Sequence, residues 1–238
     1  AVYRAHHPMI GKLAAVKVLS SAFCSNADLS KRFVNEARVV NRINHRNIVD
    51  IFSFGHLPDG RQYFVMEYLD GQSLGAYLAH RTKLPVEEAL PIFREVASAV
   101  DAAHEAGVVH RDLKPDNVFL ARDGQGNTLV KLLDFGIAKI DQGPGVSNQT
   151  RPGQVLGTPS YMSPEQARGG KVDGRSDVYS FAALLHRTLA GRSLFFGLGA
   201  VDVALAHINE PPPRLSTTAK HLPPELDGPL QQALSKKP

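Results

Sequence analysis

The chain has 238 residues, 43% of them apolar, which is enough to bury a sizeable core and excludes a disordered polypeptide. Its 27 basic against 23 acidic side chains leave a net charge of +4 without any long run of like charge, so neither a basic nucleic-acid tail nor a polybasic membrane patch is present. Cys24 is the single cysteine, which excludes an intramolecular disulfide and a multi-cysteine zinc site and fits a reducing compartment.

No stretch approaches the roughly 18 apolar residues of a membrane span. Lys12 and Lys17 stand where a signal peptide needs an apolar centre, so a cytoplasmic location is expected. In chain order, residues 14–19 read as a buried strand. Residues 28–43 follow as an amphipathic helix, with Leu29, Phe33, Ala37, Val40 and Ile43 on one face and Asp28 as N-cap. Residues 48–54 and 62–68 read as strands, and the Leu57-Pro58-Asp59-Gly60 connection makes them an antiparallel hairpin. Asp70-Gly71 ends the second strand, a short helix covers 72–80, and a boundary between two lobes falls near residue 70.

Beyond it the signals turn mainly helical. Residues 85–107 form a long helix with Leu90, Phe93, Val96, Ala97 and Val100 on its buried face and Gly107 as its stop. Pro91 lies inside that pattern and predicts either a kink or a later start. Strands at 117–121 and 129–133 flank a Gly/Asp/Asn turn, and 173–190 is a second helix ended by Gly191. Residues 140–160 fit neither period, a length at which an unstructured stretch is usually functional. Residues 210–224 are proline-rich and expected to be extended, and a last helical pattern follows; no internal repeat is visible.

Three separated clusters carry chemistry: Ala14-Ala15-Val16-Lys17, the run His110-Arg111-Asp112-Leu113-Lys114-Pro115-Asp116-Asn117, and Asp134-Phe135-Gly136. A lysine in an apolar strand is costly unless paired, although from the strand alone Lys17 also reads as a strand-end lysine reaching solvent. In order and spacing, these clusters make the chain resemble the eukaryotic-like protein kinase family. Glu36, Gly157-Thr158-Pro159, Ser163-Pro164-Glu165 and Asp177 extend the resemblance over essentially the whole chain. Met162 to Arg168 and Leu132 to Lys139 look like bacterial Ser/Thr kinases in detail.

The resemblance implies an α+β, two-lobed kinase fold: a small β-rich lobe with one main helix over 1–70 and a larger, mostly helical lobe over 71–238. It implies transfer of the γ-phosphate of ATP to protein Ser/Thr hydroxyls with Mg²⁺ as metal. Lys17 becomes the α/β-phosphate ligand and Glu36 its positioner. Asp112 orients the substrate hydroxyl and accepts its proton, Lys114 reaches the transferring phosphate, and Asn117 and Asp134 hold the metal through oxygen. Met66 matches the gatekeeper behind the adenine, and the backbones of Glu67 and Leu69 match the hinge. Val2, Ala15 and Phe119 would sandwich the ring. Val40, Ile51, His110 and Phe135 would stack between the lobes above Asp177, with His110 structural rather than a base.

Residues 140–160 match the activation segment, in which Ser147 and Thr150 are candidate phosphosites. Thr158 together with Lys114 is the Ser/Thr-kinase combination. Arg111 would bind phosphate on Thr150 and so order the loop, the change being autophosphorylation with self-association of the protein. The expected partner is a protein substrate, with no nucleic acid and no membrane segment in this stretch; a cytoplasmic portion of a longer, membrane-anchored protein fits equally. The family's glycine-rich loop should precede Val2 and none of its glycines stands there, and the arginine that in relatives pairs with Glu165 lies beyond Pro238. Two other classes compete: a pseudokinase scaffold, and a small-molecule phosphotransferase, which would not need the segment from Gly157 to Glu165.

Overall fold

A computed structural model describes residues 1–19, 40–135 and 159–237. Strands β1 (Val2–His6), β2 (Leu13–Val18), β3 (Ile51–His56) and β4 (Gln62–Glu67) form an antiparallel sheet in the order β1-β2-β4-β3. In this register Ala15 lies opposite Met66, and Lys17 lies opposite Phe64 and, on the other side, opposite Val2. The β3–β4 turn depends on Gly60, whose φ of 82° favours glycine, and Leu57 donates to Arg61 O at 2.7 Å. Strand β3 begins at Ile51 rather than at 48, because the preceding residues pair elsewhere. Ile48 bridges Leu132 in parallel, and Leu132 donates to Asn47 O at 2.7 Å while Val49 donates to Leu132 O at 3.1 Å. Of the helix expected over 28–43, residues 40–43 are helical and 28–39 lie outside the described residues.

A second antiparallel sheet follows, β5 (Gly71–Ser73), β6 (Val118–Arg122) and β7 (Thr128–Leu132), in that order. The helix expected from 72 therefore starts two residues later, as α1 (Leu74–Arg81), with Ser73 as its N-cap. Gly71 allows the exchange: a Cβ there would stand 2.1 Å from Leu120 O. Helix α2 (Val86–Glu105) runs through Pro91 near its exposed start, losing one helix hydrogen bond. Its buried face is Ala89, Ile92, Phe93, Val96, Ala99, Val100 and Ala103, so Leu90 and Ala97, expected inside, are outside.

The remaining helices are α3 (Pro164–Ala167), α4 (Gly174–Ala190), α5 (Ala200–Asn209), α6 (Leu215–Thr218) and α7 (Asp227–Ala233). Helix α4 is capped by Asp173 and closed by Gly191 in the left-handed region, φ 78°. It is the buried axis of this half, packed on α2 through Phe93 and Phe181, whose rings meet edge to face at 5.3 Å. The proline-rich stretch expected to be extended folds into α6, held by Asp227, which accepts from Ser216 N at 2.9 Å and Ser216 Oγ at 2.5 Å. The arrangement is a sheet-rich N-terminal part against a helical C-terminal part, as expected of the α+β class.

Candidate active site

The loop between α2 and β6 is organised by one carboxylate. Asp177, in the first turn of α4 and completely buried, accepts from His110 N at 2.7 Å, Arg111 N at 2.8 Å and His104 Nε2 at 2.8 Å. A buried charge needs that many donors. The hydrogen bond to Asp177 raises the pKa of His104 against its desolvation, with Asp101 and Asp173 adding to the pull. Burial lowers that of His110, whose Nε2 faces Leu133 O at 3.1 Å and whose Nδ1 accepts from Asp112 N at 3.3 Å. With both ring nitrogens engaged in this way, the imidazole braces the loop. Its ring lies tilted against that of Phe135, centroids 4.5 Å apart, and Val40, Ile51 and Phe135 belong to one core.

With that loop anchored, Asp112, Lys114 and Asn117 converge. Lys114 Nζ lies 2.8 Å from Asp112 Oδ2, and Asn117 Nδ2 donates to Asp112 O at 2.8 Å and to Oδ2 at 3.2 Å. Asn117 is a buried residue and spends its amide nitrogen on Asp112, so its amide oxygen is the atom left for a cation. Lys17 reaches across from β2 to Asp134, Nζ to Oδ1 at 2.5 Å. Asp134 follows β7 with a φ of 49°, a left-handed backbone that swings its carboxylate out of the strand. One amide oxygen and one carboxylate suit Mg²⁺, which prefers oxygen and keeps places for phosphate and water. Among the described residues no group of three His, Cys, Asp or Glu gathers, so the remaining ligands would come from those sources.

Ala15 and Met66 are direct cross-strand partners, Val2 faces Lys17, and Phe119 sits on β6 between Ser73 and Lys131. The N–H of Glu67 donates to Asp50 O at 2.9 Å, so an adenine contact from Glu67 falls to its carbonyl. Leu69, half-buried, follows in the connection to β5. Glu36, Ser147, Thr150 and Thr158 lie outside the described residues. Glu165 accepts from Ser176 Oγ, a partner the sequence did not suggest.

Other contacts were missed from the sequence. Lys131, 7% exposed, pairs with Glu67 Oε1 at 2.5 Å and donates to Ile48 O at 3.3 Å, while the same Oε1 accepts from Asp50 N at 2.9 Å. The signal was available, because Lys131 stands in an apolar strand and looks as unpaired there as Lys17 does. Glu95 of α2 accepts from Asn47 Nδ2 at 2.7 Å and Val130 N at 2.9 Å, tying the 47–49 segment to β7. His104 carries no local signal, since its partner lies 73 residues away, and the Ser163–Gln166 spacing marks a capping box but not the bond from Gln166 to Arg111, 55 residues away.

Lys17 from the first sheet thus meets Asp134, and the neighbouring Leu133 donates to Asn117 O at 2.9 Å in the loop that carries Asp112 and Lys114; residues 1–235 match the protein kinase domain family. The chain belongs to that family, and the curated relatives it matches are bacterial serine/threonine-protein kinases. It is 42% identical over its whole length to the serine/threonine-protein kinase Pkn1 of Myxococcus xanthus, of which it covers 34%. It is 38% identical to the serine/threonine-protein kinase PknA of Mycobacterium tuberculosis, again over 100% of this chain and 54% of the relative. The crystal structure of the Mycobacterium tuberculosis PknI kinase domain superposes with a TM-score of 0.73 at 33% identity, covering 99% of this chain and 82% of that one. The chain thus spans between about a third and about half of these curated relatives, 34% and 54%.

Proposed function

We propose that the protein containing this chain transfers the γ-phosphate of ATP to serine and threonine hydroxyls of a protein substrate. The observation that carries the reading is the meeting of Lys17 and Asp134 at 2.5 Å, beside a loop in which Lys114 and Asn117 both contact Asp112. Phosphoryl transfer needs charge neutralised and a hydroxyl aimed, and little covalent chemistry. Asp112 orients the hydroxyl and takes its proton. Lys114 neutralises the phosphoryl oxygens, and Lys17, positioned by Glu36, holds the α- and β-phosphates. Asn117 and Asp134 would hold Mg²⁺, which when bound screens the phosphate charge. Adenine would enter the slot of Val2, Ala15, Met66 and Phe119 and pair with the backbone of Glu67 and Leu69. We place the lobe boundary near residue 70.

Regulation is assigned to Arg111. Its buried Nε has no hydrogen-bond partner among the described residues, and its backbone has a φ of 65°. A phosphate on Thr150, placed there by a second copy of the protein, supplies the acceptor oxygens. A cytoplasmic setting follows from the ATP requirement, and among the described residues no helix is long and apolar enough to cross a membrane. The test is incubation of the full-length protein with γ-labelled ATP, Mg²⁺ and a basic protein, followed by phosphoamino-acid analysis. Label on phosphoserine and phosphothreonine is expected. Nucleotide binding without transfer would instead indicate a scaffold, and transfer confined to small hydroxyl compounds would indicate a small-molecule phosphotransferase.

A further inference from the structure

We infer that Gln166 is a positioning residue for Asp112, coupling the segment before α3 to the catalytic loop. This rests on the kinase reading and adds a residue to it. Gln166 stands at the third position of α3, where its side chain closes a capping box with Ser163. Its Oε1 accepts from Ser163 N at 3.0 Å, and this fixes the orientation of the amide because a backbone N–H can face only the oxygen. The other end therefore carries the donor, and Nε2 donates to Arg111 O at 2.8 Å.

That carbonyl belongs to the peptide unit immediately before Asp112. The N–H of the same unit donates to His110 Nδ1 at 3.3 Å, and the unit before it is held through Arg111 N to Asp177 at 2.8 Å. Arg111 lies between the two units in the left-handed region, φ 65°, which an L-residue keeps only when its surroundings over-determine it. Asp177 holds the peptide unit before Arg111, and Gln166 holds the unit after it. Rotating the peptide unit would swing the carboxylate of Asp112 away from Lys114 and Asn117. Lys17, Asp134 and the adenine slot are on other elements and would not move.

The full-length protein carrying Gln166→Glu separates this role from capping. Glutamate keeps the acceptor for Ser163 N, and it is a standard capping-box residue, but it cannot donate to Arg111 O when ionised. Steady-state phosphorylation should show kcat down by about tenfold, KM for ATP within about twofold of wild type and an unchanged thermal midpoint. Gln166→Met, which lacks both groups, should lose kcat similarly and also melt earlier. Wild-type kcat in the glutamate variant would overturn the inference, as would a loss of kcat that tracks a lowered midpoint or a raised KM for ATP. Asp112→Asn run in parallel keeps the two readings apart. If it is inactive while Gln166→Glu is fully active, only the role of Gln166 fails; if it turns over normally, the assignment of the site fails.

Discussion

Replacing Asp177 by alanine removes the acceptor of His110 N, Arg111 N and His104 Nε2, at 2.7, 2.8 and 2.8 Å. The two backbone donors belong to a loop packed against a fully buried position and cannot turn to water, whereas His104 keeps 25% of its side chain exposed and can. An orphaned buried donor costs about 1–3 kcal/mol, so two of them cost about 4 kcal/mol. A domain of this size loses roughly 2–4 °C in thermal midpoint per kcal/mol, which sets the expected fall at about 8–16 °C by scanning calorimetry. Asp177→Asn keeps one acceptor oxygen and should fall about half as far. Both variants should lose more than about tenfold in kcat, because Asp112 follows directly on the released peptide units. A midpoint within about 3 °C of wild type in the alanine variant would refute the reasoning.

The remaining predictions concern individual contacts. The raised pKa of His104 means that its bond to Asp177 contributes fully below its ordinary value of 6.5 and fades as pH rises through the higher folded value. The difference in thermal midpoint between wild type and His104→Gln should therefore narrow between about pH 6 and about pH 9; widening would contradict the assignment. Lys131→Met strands Glu67 in a pair whose side chains are 7% and 21% exposed, and should cost about 3 kcal/mol in urea unfolding. The double variant with Glu67→Gln should recover more than half of that, and simple additivity would argue against the pair. Lys17→Met should abolish phosphotransfer with a midpoint within about 2 °C of wild type, since the Lys17–Asp134 pair is 25% and 45% exposed and contributes little to stability. An early-melting Lys17→Met would assign Lys17 a structural role instead.

Residues whose chemistry sits in short contiguous runs are legible in the sequence. Asp112, Lys114 and Asn117 share one loop and Asp134 follows a strand, so their order and spacing mark them, and the fold joins Asp134 to Lys17. Their supports are not legible in the same way. The resemblance sets His110 above Asp177, but does not tell that this carboxylate accepts from the backbone of both His110 and Arg111 and from His104, 67, 66 and 73 residues away. Periodicity also misjudges which turn of α2 faces inward: Leu90 is 47% exposed, because the neighbouring elements and not hydrophobicity decide which side of a broad apolar stripe is covered. The start of β3 slips for a related reason. Ile48 and Val49 are as strand-like as Ile51, but tertiary pairing with Leu132 claims them. In 210–224 the prolines suppress a helical reading, yet Leu215–Thr218 carries none and turns helical where Asp227 accepts from Ser216 N and Oγ.

The central claim is the proposal that Asp112 and Asp134 act together in phosphoryl transfer, and a single-turnover phosphorylation assay of the full-length protein on a basic protein tests it most directly. With saturating Mg²⁺-ATP, Asp112→Asn should bind nucleotide normally and transfer phosphate at least about a hundredfold more slowly than wild type, while Asp134→Asn should be equally slow and need more Mg²⁺. Transfer at the wild-type rate by either variant would contradict the account.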